Sequence, residues 1–209
     1  MRKFLMPVFS ISVFLLLLLS PVLYYSFDVH FYTQNAVQDD RVLTGQSMTY
    51  VQNIYSFIQW ESQLDPIFTS AEKSHMQDVR QVYHILSIIE IVASILFVLT
   101  LMMFLLQKDF SRIVRWFFRG SLSALIFFLL MLLALRINFF AAFVAFHDIF
   151  FPQGNRLFDQ SNVLITLFPL SFFEAIAVRI FRASAALSLV VIFLDFLERN
   201  YRRKKTLIK

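Results

Sequence analysis

The chain has 209 residues, 58% of them hydrophobic and 17% aromatic, with only 16% charged and a formal net charge of +5. A soluble domain of this length does not need so large an apolar share. Several runs also reach bilayer-spanning length, so the chain reads as a polytopic membrane protein and its positive charge as a matter of membrane side rather than nucleic acid. With 0 Cys, a disulfide framework, a thiolate metal site and a cysteine nucleophile are excluded.

Met1-Arg2-Lys3 precedes an apolar run from Phe4 to Tyr25. That run is long for a signal-peptide core. Tyr24, Tyr25 and Phe27 also stand where small residues would mark cleavage, so residues 1–25 read as a retained first transmembrane helix, with Pro7 near its start. Residues 26–80 are polar and mixed, too long for a tight connection, and read as a small extracellular cap leading into helix 2. Within the cap, the weak alternation of Phe27-Asp28-Val29-His30-Phe31-Tyr32 fits a short strand. Asp65-Pro66 breaks the chain, and Thr69-Ser70-Ala71-Glu72 has the capping-box pattern that starts a helix. This helix runs on into the second span, 81–106. Residues 107–119 hold Lys108, Arg112, Arg115 and Arg119 against Asp109 and read as a basic cytoplasmic loop. The third span is 120–147. An extracellular loop covers 148–173, with a turn at Pro152, Gly154 and Asn155. Pro169 precedes the fourth span, 174–197, and a basic cytoplasmic tail fills 198–209. The expected fold class is therefore an all-α membrane protein, four transmembrane helices with a small extracellular cap in which short strands have a place.

Orientation follows from Lys and Arg in the flanks. Residues 1–3, 107–119 and 198–209 carry twelve of them. Residues 26–80 and 148–174 carry four: Arg41, Lys73, Arg80 and Arg156. The first set alternates correctly with four spans, so both termini are expected in the cytoplasm and the cap and the 148–173 loop outside. Two polar clusters then share the outer face by topology alone. One is Glu72-Lys73-Ser74-His75-Met76-Gln77-Asp78-Val79-Arg80. The other is Phe146-His147-Asp148-Ile149-Phe150-Phe151.

Four ionisable residues, Glu90, Arg136, Arg179 and Arg182, fall inside the spans, where charge is costly and is either paired or functional. On a continuous helix Glu90 lies about 60° around from His75 and about 22 Å deeper, and Arg136 about 20° around from His147 and about 16 Å deeper. Arg179 and Arg182 share a face by their i, i+3 spacing. Two readings stand side by side: a Glu–Arg network that holds helices together, or a polar shaft that orients lipid ester or glyceryl oxygens beneath a site.

His75 and Asp78 are three residues apart, and Asp148 adjoins His147. A carboxylate beside a histidine fixes its tautomer and raises its basicity, as in general-base pairs. His84 is nine residues from His75, about 180° around the helix, and faces away. Nothing commits His30. The only glycines are Gly45, Gly120 and Gly154, so there is no Gly-x-Ser-x-Gly, no P-loop and no dinucleotide fingerprint; His-Glu-x-x-His is also missing. A metal site from His75, His147, Asp78 and Asp148 matches no familiar ligand spacing, and neither a metal nor another cofactor is expected.

The two clusters, followed by Leu157-Phe158-Asp159 and Leu164-Ile165-Thr166-Leu167-Phe168-Pro169, resemble the lipoprotein intramolecular transacylase family of Gram-positive bacteria. The likeness covers nearly the whole chain. Leu157 stands where the family usually has Trp, and Gln160 where it often has Pro. The resemblance implies an enzyme of the bacterial cell membrane acting on lipoproteins whose N-terminal cysteine carries a thioether-linked diacylglyceryl. The sn-2 acyl chain moves to the α-amino group of the same cysteine and leaves the lyso-form. The family's two essential histidines map onto His75 and His147. Asp78, Asp148, Glu90, Arg136 and Arg179 are added as supporting groups by their placement in the sequence, not by the family. Diacylglyceryl-modified lipoproteins and membrane lipid are the implied partners. Two other readings stay open: a non-enzymatic binder of lipid or lipoprotein, and a metal-dependent membrane hydrolase that excess chelator would silence.

Overall fold

The computed structural model describes residues 2–35, 45–108, 110–151, 158–159 and 161–207. The expectations that fall on Asp40, Arg41, Asp109, the turn at Pro152, Gly154 and Asn155, on Arg156, Leu157, Gln160 and on Lys209 lie outside the described residues. Among the described residues seven helices follow in order: α1 (Arg2–Tyr25), α2 (Val29–Asn35), α3 (Ser47–Ile58), α4 (Ser70–Leu106), α5 (Phe110–Phe150), α6 (Val163–Leu167) and α7 (Leu170–Leu207). Four stretches, Leu5–Tyr25, Ser70–Leu106, Ile113–Phe150 and Leu170–Glu198, are long and apolar enough to cross a membrane. The long helices extend beyond the hydrophobic runs. α5 already begins at Phe110, and α7 begins at Leu170 and runs through most of the basic tail. Much of 107–119 is therefore helix rather than loop. Arg and Lys are good helix formers, and a helix leaving the bilayer satisfies its own backbone.

No strand occurs among the described residues, and the strand expected at Phe27–Tyr32 is corrected to helix α2. Asp28 is the reason. Its Oδ1 accepts from the backbone N–H of Phe31 at 3.0 Å, the bond of an N-cap. Tyr32 is buried while Val29 and His30 are exposed, so the protected side follows helical spacing and not alternation.

The chain forms two compact units. The first comprises Met1–Val22, Ser87–Leu133 and Ile180–Lys209. Phe9, Val13 and Phe104 make one buried cluster in it, and Ala124, Phe128 and Ala185 another. α1 and α5 meet closely here: Ser10 Oγ donates to the Trp116 carbonyl at 2.7 Å. A Cβ added at Gly120 would stand 2.7 Å from the Ser10 carbonyl oxygen and 2.9 Å from Val13 Cβ. Small residues at such contacts let transmembrane backbones approach. Gly120→Ala is expected to lower the thermal midpoint in detergent, by about 1–3 kcal/mol of overpacking. An unchanged melting curve would show that α1 gives way at no cost.

The second unit comprises Leu23–Leu86 and Ala134–Arg179. Its core holds Tyr32 from α2, Val51, Ile54, Phe57 and Ile58 from α3, Met76 from α4, Leu164 and Leu167 from α6 and Phe172 from α7. The α3 contribution is a single stripe, spaced i, i+3, i+6/7. α3 ends in a Schellman motif: Glu61 N–H reaches the Ser56 carbonyl and Trp60 N–H the Phe57 carbonyl, with Trp60 at φ 66°. Glycine is the usual occupant of that left-handed position. A bulky residue there costs about 1–3 kcal/mol.

Candidate active site

Thr69 and Glu72 form the expected capping box at the start of α4. The Thr69 N–H donates to Glu72 Oε2 at 2.8 Å, and the Glu72 N–H to Thr69 Oγ1 at 3.3 Å. Glu72 does more than the pattern announces. It is fully buried, also accepts from the Thr69 hydroxyl at 2.8 Å, and its Oε1 takes the Leu164 N–H at 2.9 Å. Asn162, the N-cap of α6, makes no side-chain cap of its own. One carboxylate therefore serves two helix N-termini 92 residues apart.

This lock sets His75, on the second turn of α4, beside the end of α5. The His75 and His147 rings lie 6.2 Å apart, centroid to centroid, and only 14° from parallel. Phe151, which is buried, touches both, at 5.0 Å from His75 and 5.4 Å from His147. Phe158 packs on His75 at 5.4 Å, and Phe143 on His147 at 4.1 Å. Both imidazoles are half-buried among these aromatic rings. His147 Nδ1 is 2.9 Å from the Phe143 carbonyl, four residues back. A carbonyl only accepts, so this bond places the proton on Nδ1 and leaves Nε2 of the neutral ring with the lone pair.

The other expected site residues fall in different places. Asp78 is half-buried one turn beyond His75, and Asp148 is exposed beside His147. Arg179 pairs with Asp28 at 2.9 Å, its guanidinium 4.5 Å from the Tyr25 and Phe31 ring centres. It thus secures the residue that caps α2. Glu90, in the other compact unit, accepts a 2.6 Å bond from Ser20 Oγ. Arg136 and Arg182 are exposed. The alignment of Arg136 under His147 does not hold, because α5 breaks between them at Asn138 (φ −158°, ψ 93°). Asn138 Oδ1 takes the Ala141 N–H at 3.0 Å and caps the helix that resumes. Among these ionisable groups the described residues show two separate pairings, Arg179–Asp28 and Glu90–Ser20, rather than one Glu–Arg network. His84 is exposed and meets the Trp60 ring at 6.1 Å. No group of three or more His, Asp or Glu placed to hold a metal ion lies among the described residues.

Four membrane-length helices among the described residues define a polytopic α-helical membrane protein, with two histidines stacked among aromatic rings. The chain belongs to the family of lipoprotein intramolecular transacylase Lit, whose model matches residues 2–173. It is accordingly a multi-pass membrane enzyme, a lipoprotein intramolecular transacylase. The fold is that of the membrane-integral Lit from Bacillus cereus. The in meso structure of that protein superposes with a TM-score of 0.78 at 18% identity, covering 99% of this chain and 98% of that one. Two variants of the Bacillus cereus protein match as well. One has a histidine replaced by arginine (TM-score 0.74, 17% identity, 99% and 94% covered). In the other, alanine replaces that histidine (TM-score 0.74, 16% identity, 97% and 95% covered). No curated protein matches the chain.

Proposed function

We propose that His75 and His147 are the acid–base pair that moves the sn-2 acyl chain of a diacylglyceryl-cysteine lipoprotein to the α-amino group of the same cysteine. The observation that carries this reading is the near-parallel stack of the two rings at 6.2 Å. The amine nitrogen attacks the ester carbonyl, a C–N bond forms and the C–O bond to glycerol breaks. One proton leaves the amine and one reaches the departing glyceryl oxygen. His147, with Nε2 as its lone-pair nitrogen, suits the base that takes the amine proton. His75 suits the group that protonates the leaving oxygen. Amine and ester belong to one molecule, so positioning substitutes for an enzyme nucleophile, in keeping with a chain that has no cysteine. Asp78 and Asp148 serve as orienting neighbours. Arg179 supports the site through α2, and Glu90 and Arg136 are supporting groups within the spans. The test is mass spectrometry of a lipoprotein N-terminus, with and without this protein expressed. The lyso-form is expected with it, and an unchanged diacylglyceryl cysteine would leave only the non-enzymatic binder.

The same reading puts both termini in the cytoplasm and the site at the extracellular face, supported by the twelve-to-four distribution of Lys and Arg. A Lys209→Cys variant is expected to resist a membrane-impermeant thiol reagent in intact cells, while Asp40→Cys is labelled. The reverse pattern would invert the topology.

A further inference from the structure

On another face of α4 lies a second polar constellation. Arg80 follows His75 by five residues, about 140° around the helix and about 7–8 Å along it. Its guanidinium lies over two rings, 4.1 Å from the centre of Phe57 and 3.8 Å from that of Trp60. Its N–H groups are what remains to bond a polar ligand. Nε is buried and meets no hydrogen-bond partner among the described residues. Beside it opens a pocket of about 460 Å³ lined by Trp60, Glu61, Ser62, Gln63 and Arg80.

The backbone shows what is retained for this arrangement. Trp60 occupies the left-handed position of the Schellman turn, at φ 66°, where glycine would be unstrained. The residue is nevertheless 61% exposed, so burial in the core does not account for it. Trp60 lies against Arg80 at 3.8 Å and meets the exposed His84 edge-on at 6.1 Å.

We propose that this pocket binds the phosphodiester headgroup of a membrane phospholipid, at a site separate from the histidine pair. A guanidinium edge matches two phosphate oxygens in a fork, and such charge-assisted bonds are the strong ones. Glu61 in the lining disfavours a doubly charged phosphomonoester and favours a diester with one negative charge. Its carboxylate, with Ser62 and Gln63, offers partners to hydroxyl or ammonium groups on the far side of that diester. An exposed tryptophan with an apolar body and one N–H suits the level of lipid headgroups.

The test uses the full chain in an uncharged detergent. There are only 2 Trp, so Trp116→Phe leaves Trp60 as the sole tryptophan reporter. Short-chain phosphatidylglycerol, the matching diacylglycerol and inorganic phosphate are titrated against its fluorescence. A saturable change with phosphatidylglycerol is expected, with no saturable change for diacylglycerol and at least tenfold weaker binding of phosphate. Arg80→Gln is expected to weaken the phospholipid by about tenfold, the loss of one hydrogen bond to a charged group. Arg80→Lys, which keeps the charge and loses the planar fork, should fall between. Equal responses to phosphatidylglycerol and diacylglycerol would overturn the proposal, as would unchanged phospholipid affinity in a folded Arg80→Gln. Phosphate binding as tightly as the lipid would overturn the lipid as its source. The comparison of the three titrants needs no Arg80 variant, so it decides the matter even where Arg80→Gln fails to insert.

Discussion

His75→Ala and His147→Ala are each expected to abolish measurable acyl transfer while the protein still inserts and purifies normally. General acid–base groups contribute about 10²–10⁴-fold each. Two groups that relay protons within one step act as a unit, so the double variant should be little worse than either single one. The rings stack on neighbours that remain after truncation, Phe151 on both and Phe143 on His147, which is why folding should survive. His30→Ala is the matched control. His30 is exposed and bonded to Gln34 at 3.0 Å on α2. The rate should also fall as pH drops, because the attacking amine, with a reference pKa of about 7.7–8.0, is then protonated. The measurement is conversion of a diacylglyceryl lipoprotein to the lyso-form, followed by mass spectrometry. A folded His75→Ala or His147→Ala protein that converts substrate at the wild-type rate would show that the ring stack is an interface anchor.

Glu72→Ala is expected to have the largest effect on stability. The substitution removes the acceptor of two backbone N–H groups, Thr69 and Leu164, and of the Thr69 hydroxyl, all at 2.8–2.9 Å around a fully buried side chain. Buried donors left unpaired cost about 1–3 kcal/mol each, and partial relaxation brings the expected total to about 3 kcal/mol. Thermal unfolding in detergent measures it. Glu72→Gln keeps the shape but turns one acceptor into a donor facing N–H groups, so it should fall short of a rescue. Activity should drop with stability, because the bond to Leu164 ties the segment bearing Phe158, and hence one wall of His75, to α4. A Glu72→Ala protein with wild-type melting would mean that α6 is held by its apolar contacts alone.

Much of the site was legible in one dimension for a physical reason. Four apolar runs and an asymmetric spread of basic residues lead one to expect both histidines on one side of a bilayer without any tertiary information, because the membrane reduces topology to alternation, and the two rings do lie 6.2 Å apart. The capping box of Thr69 and Glu72 was equally readable, since its bonds are local. The residues that surround the histidines were only partly so. Phe146, Phe151 and Phe158 stand inside the clusters that carried the resemblance, whereas Phe143 is marked only by its i, i+4 spacing from His147 within an aromatic-rich run.

The tertiary structure alone decided the rest, in each case because a partner distant in the chain competes with a local rule. At α2, weak alternation suggested a strand, but the Asp28 cap and the burial of Tyr32 against Phe168 and Phe172 set a helix. At Asn138, a side-chain amide caps a fresh helix inside an apolar run, and counting residues through it misplaces Arg136. Arg179 finds Asp28 some 150 positions away in the chain, and Glu72 finds Leu164. Composition by itself marks the four runs long and apolar enough to cross a membrane, and charge spacing is the basis of the orientation proposed above. Buried polar groups must be paired wherever the fold brings a partner, and that requirement decides how the two histidines are held face to face.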